Sequence, residues 1–361
     1  MTGAERSGVV VYGDFATSGG IDAIDAYSRH LVDALCAQGV RTGYIHGDLG
    51  AVLAKVDSPP RWIVLQYNPF GYGRWGMAPQ LISDAIRVRR RWPFCTLVLC
   101  VHEAWVSIDD WRSALMGTYQ RAQLRCLLRA VDGAIVVRET LRDELGNACV
   151  HMPVGSNITP VPVDRDSARD RLGIGKGLVI ALFGRRNPSR ALVYATAAIA
   201  AVAADRGMDR LCVLNLGSDS PIPPVPAGVE VRSPGPLSDE DLSMHLHASD
   251  VLLLPFSDGL STRRGTLMAG LAHGLPVVGL RGFNTDRVLL QHPDAMVLTP
   301  QGDLDAYALA VVELARDAVR TQKTGAAARE LYERLFDWPV LARSVLATLE
   351  ACARPGAIAR S

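Results

Sequence analysis

Nowhere does the chain approach the roughly 18 or more uninterrupted apolar residues of a membrane span. Its seven cysteines form no Cys-x-x-Cys pair and show no His/Cys metal spacing. The first absence argues against stable membrane insertion; the second points to reduced, buried thiols in a cytoplasmic protein. A surplus of positive charge is also missing: 38 Lys and Arg face 37 Asp and Glu, for a formal net charge of +1. A general nucleic-acid binder needs such a surplus to cover phosphates, so the balance argues against that class. The first residues, MTGAERSGVVVYG, run almost directly into a strand and lack the layout of a signal peptide. No GxGxxG follows that strand, which argues against a nicotinamide enzyme. No internal repeat, low-complexity segment or DxD-type carboxylate cluster occurs, and no metal site is expected.

What is present is a regular alternation. With 361 residues and 48% hydrophobic content, the chain can bury a sizeable core, and its length suggests two domains. Short apolar runs alternate with helical patterns, the signature of α/β folds with a parallel sheet. The first half offers strands at 9–13, 41–47, 62–67, 96–103 and 133–137, with helices near 21–38, 78–91 and 112–129. The turn-rich stretch HMPVGSNITPVPVDRDSARDRLG (151–173) breaks the pattern, which restarts with strands at 178–184, 211–217, 229–234, 251–256, 276–280 and 295–299. The expected organisation is an N-terminal Rossmann-like domain over 1–157, a second over 158–335, and a terminal helix, 336–361, entered through a Trp-Pro break. Two such doubly wound domains face each other across a cleft, with ligands at the carboxyl ends of strands.

That placement rule selects particular loops. LVIALFG ends in GRRNPSRA, where Arg185 and Arg190 flank an Asn-Pro-Ser turn after Gly184. Two such cations above a helix N-terminus suit a diphosphate, since guanidinium offers bidentate contacts and the helix end adds a positive dipole. They are otherwise two solvated loop arginines. After VLLLPF comes SDGLSTRRGT, in which Ser261 or Thr262 is a good N-cap and Gly265 allows close approach of the backbone to a ligand. Arg263 and Arg264 fall in the first turn against the helix dipole, a local conflict of the sort that marks functional sites. The structural alternative pairs one of them with Asp258 and sends the other to water.

In the first half, Gly19-Gly20 precede an amphipathic helix and suit a phosphate, a sugar or a plain turn. His102 and Glu103 end the strand TLVLCVHE, where a histidine can meet a sugar hydroxyl or carry a proton, with Glu103 as its orienter. The loop QYNPFGYGRWGM, with Tyr67, Asn68 and Tyr72, and the nearby Trp105 are candidates for holding an acceptor. RVRRRW (87–92) is the one basic run, read as a solvated helix end rather than a membrane patch.

These pieces together carry a resemblance. The segments GGIDAIDAYSRHLVDAL, VHE, MPVGSN, FGRRNPSR and DGLSTRRGTLMAGLAHGLPVVG resemble the GT-B retaining glycosyltransferases of the large group-1 family, over roughly residues 9 to 350. Arg185 and Arg190 match the Arg and Lys that grip the donor diphosphate there, with arginine in place of the lysine. His102 matches a histidine contacting the donor sugar, and Gly19 and Gly20 match the glycine turn beside the donor phosphate. The family's pair of glutamates, eight positions apart, is absent: Ala269 holds the second place, and Ser261 or Asp258 the first. Asp258, Ser261, Thr262, Arg263, Arg264, Gly265 and Thr266 resemble a variant DGxSxRRG donor loop. The resemblance implies a metal-independent, cofactor-free transfer from a nucleoside diphosphate sugar, with retention, by front-face attack in which the leaving phosphate takes the acceptor's proton. The expected partners are that donor and a small, secondary-metabolite-like acceptor, with no nucleic acid; a homodimer is compatible. Rival readings on the same architecture are a nucleotide-sugar epimerase and a catalytically silent sugar-nucleotide binding subunit.

Overall fold

The computed structural model describes residues 8–13, 23–47, 49–50, 60–106, 108, 110–146, 149–205, 210–217 and 219–353. Gly19 and Gly20 lie outside the described residues. The chain forms two compact units, Met1–Pro153 together with Trp338–Ser361, and Val154–Asp337.

The first unit runs β1 (Val9–Tyr12), α1 (Ala23–Ala37), β2 (Thr42–Ile45), β3 (Trp62–Tyr67), α2 (Pro79–Arg91), β4 (Thr96–Val101), α3 (Trp111–Ala130), β5 (Gly133–Val136), α4 (Glu139–Leu145) and β6 (Cys149–His151). Its sheet has the order β2-β1-β3-β4-β5-β6, and every pairing is parallel. WIVLQY and TLVLCV are buried at all positions. That is what continuous apolar runs do as central strands covered on both faces. α1 turns Ile24, Tyr27, Leu31 and Leu35 inward at helical spacing. α3 starts at a capping box, in which Asp110 Oδ1 accepts from the Ser113 N–H (2.7 Å) and Ser113 Oγ accepts from the Asp110 N–H (2.8 Å).

The second unit runs α5 (Arg165–Leu172), β7 (Leu178–Phe183), α6 (Leu192–Ala204), β8 (Leu211–Leu216), β9 (Glu230–Arg232), α7 (Asp239–His247), β10 (Val251–Leu254), α8 (Gly265–Ala272), β11 (Val277–Arg281), α9 (Arg287–Leu290), β12 (Met296–Pro300), α10 (Leu304–Arg316) and α11 (Ala318–Leu335). Its parallel sheet has the order β12-β11-β10-β7-β8-β9. The order reverses between β7 and β10, so the loops leaving those two strands flank the switch point where ligands of such sheets bind.

The terminal helix α12 (Trp338–Ala351) packs on α1 in the first unit. Trp338 lies against Tyr27 (centroids 5.2 Å apart) and stacks on His30 (5.2 Å, 17° between planes). Pro339 sits in the first turn, where a missing N–H costs nothing. The change from first to second unit falls earlier than residue 158. The Met152 N–H still donates to Val136 O (2.9 Å), whereas the Val154 N–H donates to Thr262 O (3.1 Å) and the Ser156 N–H to Tyr332 Oη (3.2 Å). All seven cysteines are free thiols, and one expectation is corrected: Cys36 and Cys126 are exposed, on the outer positions of α1 and α3.

α8 touches the sheet through a glycine. A Cβ on Gly270 would come within 2.5 Å of Leu252 Cδ2 and 3.2 Å of Val277 Cγ2. Gly270→Val is expected to force helix and sheet apart, lowering the free energy of unfolding by about 1–3 kcal/mol. Denaturant melting of the purified variant reads this directly, and an unchanged midpoint contradicts it.

Candidate functional site

In the second unit two loops meet at the switch point. The loop after β7 leaves through Gly184, whose φ of +128° suits glycine. A Cβ there would stand 3.2 Å from Thr266 Cγ2, so the glycine lets this loop lie against the start of α8. Asn187 Oδ1 closes the turn by accepting from the Ser189 N–H (2.9 Å) and hydroxyl (2.7 Å). Backbone bonds then bind the loop to the one after β10: the Ser257 N–H donates to Ser189 O (2.7 Å) and the Ala191 N–H to Pro255 O (2.8 Å).

This strapping separates the two predicted arginines. Arg185 is exposed, while Arg190 is drawn in until only 8% of its surface remains. Arg190 Nη1 donates to Gly184 O (2.9 Å) and to Ser220 Oγ (2.9 Å). Ser220 is itself fixed, donating to Asn215 Oδ1 (3.0 Å). The remaining donors, Nε and Nη2, are buried without a partner. Burial lowers the Arg190 pKa from its ordinary value, yet a guanidinium keeps its proton in proteins. An ionised donor pair held out of water costs free energy, and a native structure retains such a feature for a reason.

The loop after β10 is organised around a carboxylate. Asp258 accepts from Arg264 Nη2 (2.5 Å), Arg263 Nη2 (3.2 Å) and Asn284 Nδ2 (3.2 Å). Burial alone raises its pKa, but Arg264, Asn284 and Arg263 together outweigh it and hold the carboxyl below the usual 3.8. The Arg264 guanidinium also lies 3.6 Å from the centroid of the Phe256 ring and donates to Ser189 Oγ (3.2 Å). Both arginines therefore engage Asp258; neither is simply sent to water.

The donor contacts expected of Ser261 and Thr262 are corrected. Both residues are fully buried. Thr262 gives its N–H (2.6 Å) and its hydroxyl (2.7 Å) to Asp286 Oδ2. The N-cap of α8 is Arg264, without a side-chain cap. The first N–H of this helix to reach a backbone acceptor is that of Leu267, on Arg264 O (3.0 Å). The turn at Gly265 and Thr266 thus presents the orphan donors and positive dipole end of a helix. Gly265 is exposed, and a Cβ on it would meet nothing within 4 Å.

In the first unit, His102 follows β4. Its Nε2 lies 2.6 Å from Gln66 Oε1 and 3.7 Å from Cys100 Sγ, and Tyr27 meets the ring edge-on at 4.9 Å. The residue keeps some surface, but its ring nitrogen lies deep, and burial lowers its pKa from 6.5 to about 3. It is a neutral imidazole at any physiological pH. Glu103 follows it, half-buried. In the aromatic loop Phe70 and Trp75 are exposed, whereas the two candidate tyrosines turn inward. Tyr67 is fully buried with its hydroxyl accepting from Gln123 Nε2 (2.9 Å), so it is a core residue rather than an acceptor contact. Asn68 caps a short 3-10 turn by accepting from the Phe70 N–H (3.1 Å). Tyr72 donates to Gln66 O. Trp105 packs on the core beneath the Arg121 guanidinium, 4.7 Å from its ring centroid.

Residues not singled out from sequence are Phe256, Asn215, Ser220, Asn284, Asp286 and Gln66. Asn284 and Asp286 had a usable signal. RGFNTD directly follows PVVGL, at the carboxyl end of the strand where polar residues gather. Among the described residues, no three His, Cys, Asp or Glu side chains come together as a metal would require.

The neutral His102 makes a pH-dependent contribution with a definite sign. Below 6.5 the unfolded chain binds a proton that the folded chain refuses until about 3. Stability is therefore expected to fall with pH through this window, by up to about 1.4 kcal/mol per unit from this group. His273, lowered by burial to about 4, adds to the slope in its upper part. His102→Gln should flatten the acid limb in chemical melts between pH 6 and pH 4; an unaltered slope refutes it.

The sequence model of the glycosyl transferases group 1 family matches residues 177–317. No curated protein sequence matches the chain. Among solved structures, the sucrose-phosphate synthase of Thermosynechococcus elongatus superposes with a TM-score of 0.69 at 17% identity, over 96% of this chain and 99% of that one. Anabaena HepE, solved with UDP and glucose, gives 0.63 at 14% identity, over 96% and 100%. AviGT4, a glycosyltransferase involved in avilamycin A biosynthesis, gives 0.56 at 13% identity, over 96% and 98%. The chain as a whole therefore has the two-domain Rossmann-like GT-B fold, and residues 177–317 of its second unit are similar to the glycosyl transferases group 1 family.

Proposed function

We propose that the protein transfers a sugar from a nucleoside diphosphate sugar to a small-molecule acceptor, with retention at the anomeric carbon and without a metal. The observation that carries this reading is Arg190, a buried cation with two unpartnered donors, on the loop that packs against the first turn of α8. Departure of a nucleoside diphosphate loads negative charge onto phosphate oxygens. Donors held in place before the reaction stabilise that growing charge without reorganising. Arg190 supplies such donors, the N–H groups at Gly265 and Thr266 add more, and Arg185 offers a second guanidinium from the exposed side of the same turn.

The chemistry follows from this arrangement. The bond between the anomeric carbon and the diphosphate oxygen breaks, the acceptor nucleophile bonds to that carbon from the same face, and the departing phosphate oxygen takes the acceptor's proton. Neutral His102, with Glu103 beside it, serves as a hydroxyl-positioning group, since a ring with a pKa near 3 cannot act as a general acid at neutral pH. The complexes of Anabaena HepE with UDP and with UDP-glucose support a nucleotide-sugar donor. The part played by AviGT4 in avilamycin A biosynthesis supports a small acceptor.

Arg190→Ala is expected to lower kcat by about 100-fold or more, the size of losing one strong transition-state donor, with little change in melting temperature. A thermal-shift screen of UDP, GDP, ADP and TDP identifies the donor to use in that assay. Undiminished turnover in Arg190→Ala removes the diphosphate assignment. Interconversion of nucleotide sugars without any acceptor replaces transfer by epimerisation.

A further inference from the structure

The charges of the protein balance overall but are not evenly placed. α2 and α3 lie side by side on one face of the first sheet: Leu81, Ala85 and Val88 of one helix and Leu124, Leu127 and Ala130 of the other enter the same core cluster. Their exposed positions recur every three or four residues, through Ser83, Ile86 or Arg87, and Arg90 on α2, and through Trp111, Leu115, Thr118, Ala122, Arg125 and Arg129 on α3. Each helix thus shows one stripe to solvent.

The composition of these stripes is unusual. The sequence of α3 contains four arginines and no Asp or Glu. α2 adds four more arginines and a single acid, Asp84, which is buried. Arg87 pairs with Asp84 (3.1 Å) and Arg89 with Asp132 (2.6 Å). Among the described residues no carboxylate pairs with Arg90, Arg125 or Arg129. A solvated helix face ordinarily mixes signs, with acids placed to pair along the helix; this one does not. Large apolar side chains share the surface. Trp111 is 72% exposed and Leu115 65% exposed, both in the first turns of α3, and Ile86 and Phe94 are exposed on and just after α2. A groove of about 360 Å³ between the helices is lined by Ile86, Arg89, Arg90, Cys126, Arg129 and Ala130.

We propose that the outer face of α2 and α3 docks on an anionic lipid surface. Headgroup phosphates would meet Arg90, Arg125 and Arg129, and the ring of Trp111 with Leu115 would enter the headgroup–acyl boundary. The charge complementarity belongs to this face rather than to the chain as a whole, which carries a net charge of only +1. A polyanion in solution accounts for the arginines but gives Trp111 and Leu115 no apolar phase to enter, whereas a lipid surface takes both kinds of side chain. No described helix is long and apolar enough to cross a membrane, so the contact is peripheral. The RVRRRW run is then one edge of a larger surface, not a lone solvated helix end. α3 completes it from positions scattered through the sequence. The proposal is independent of the sugar-transfer reading.

The test is flotation of the full chain with phosphatidylcholine vesicles, with and without phosphatidylglycerol. Binding is expected only to the anionic vesicles and should fall steeply with salt. Reversing three charges (Arg90→Glu, Arg125→Glu, Arg129→Glu) should weaken it by about 100-fold or more. Trp111→Ser with Leu115→Ser should weaken it while leaving the salt dependence in place. Circular dichroism and thermal melting establish that the variants are folded; if the triple reversal is not, Arg90→Gln with Arg129→Gln carries the test. Equal binding to both vesicle types, no binding to either, or binding to heparin with vesicles ignored each overturns the proposal.

Discussion

The buried carboxylate of Asp258 is the point on which the switch-point end of the second unit depends. It gathers two adjacent guanidinium groups and an amide from a second stretch of chain, and Arg264 extends its reach to Ser189 on the neighbouring loop. Charges this deep are tolerated only when paired and hydrogen-bonded. The cluster therefore stays in one arrangement, and with it the start of α8. Thr262, bonded twice to Asp286, fixes the same turn from behind. A helix N-terminus becomes useful for binding an anion when its first turn cannot wander, and this one is held from two sides.

The first unit reaches a similar rigidity with uncharged groups. Gln66 and Gln123 are buried amides at the carboxyl end of β3 and on α3. Between them they engage His102, Tyr67, the Ala78 N–H (2.6 Å) and Gly76 O (3.2 Å). Neutral amides orient a ring without charging it, which suits a histidine that stays unprotonated. The contrast between the units is chemical: guanidinium and carboxylate where phosphate is expected, amides where hydroxyls are.

Much of the fold was legible because alternating apolar runs and helical periods leave few other solutions. The strands WIVLQY, TLVLCV and LVIALF read as buried because they have no polar face to expose; the first two are buried throughout and the third at its four central positions. The loops that meet at the switch point of the second sheet were legible too, since strand ends select them. Which face each side chain takes was not. Ser261 and Thr262 look like capping residues, and only the distant Asp286 decides that Thr262 turns inward. Tyr67 looks like an exposed aromatic until Gln123, far along the chain, claims its hydroxyl. Arg185 and Arg190 are equivalent as letters, and the strap between Ser189 and Ser257 makes one surface and the other core. In each case a partner remote in sequence outvotes the local pattern.

The course of the chain between its two units also bears on synthesis. Val154–Asp337 is one uninterrupted stretch and emerges whole from a ribosome. The other unit leaves the side of α1 that carries Tyr27 and His30 uncovered until Trp338 and the helix behind it have been made. Nascent folding then runs in an order opposite to the direction of translation: the part synthesised first is the last to be finished. For most of its synthesis the growing chain exposes an apolar helix surface to whatever holdase or neighbouring polypeptide it meets.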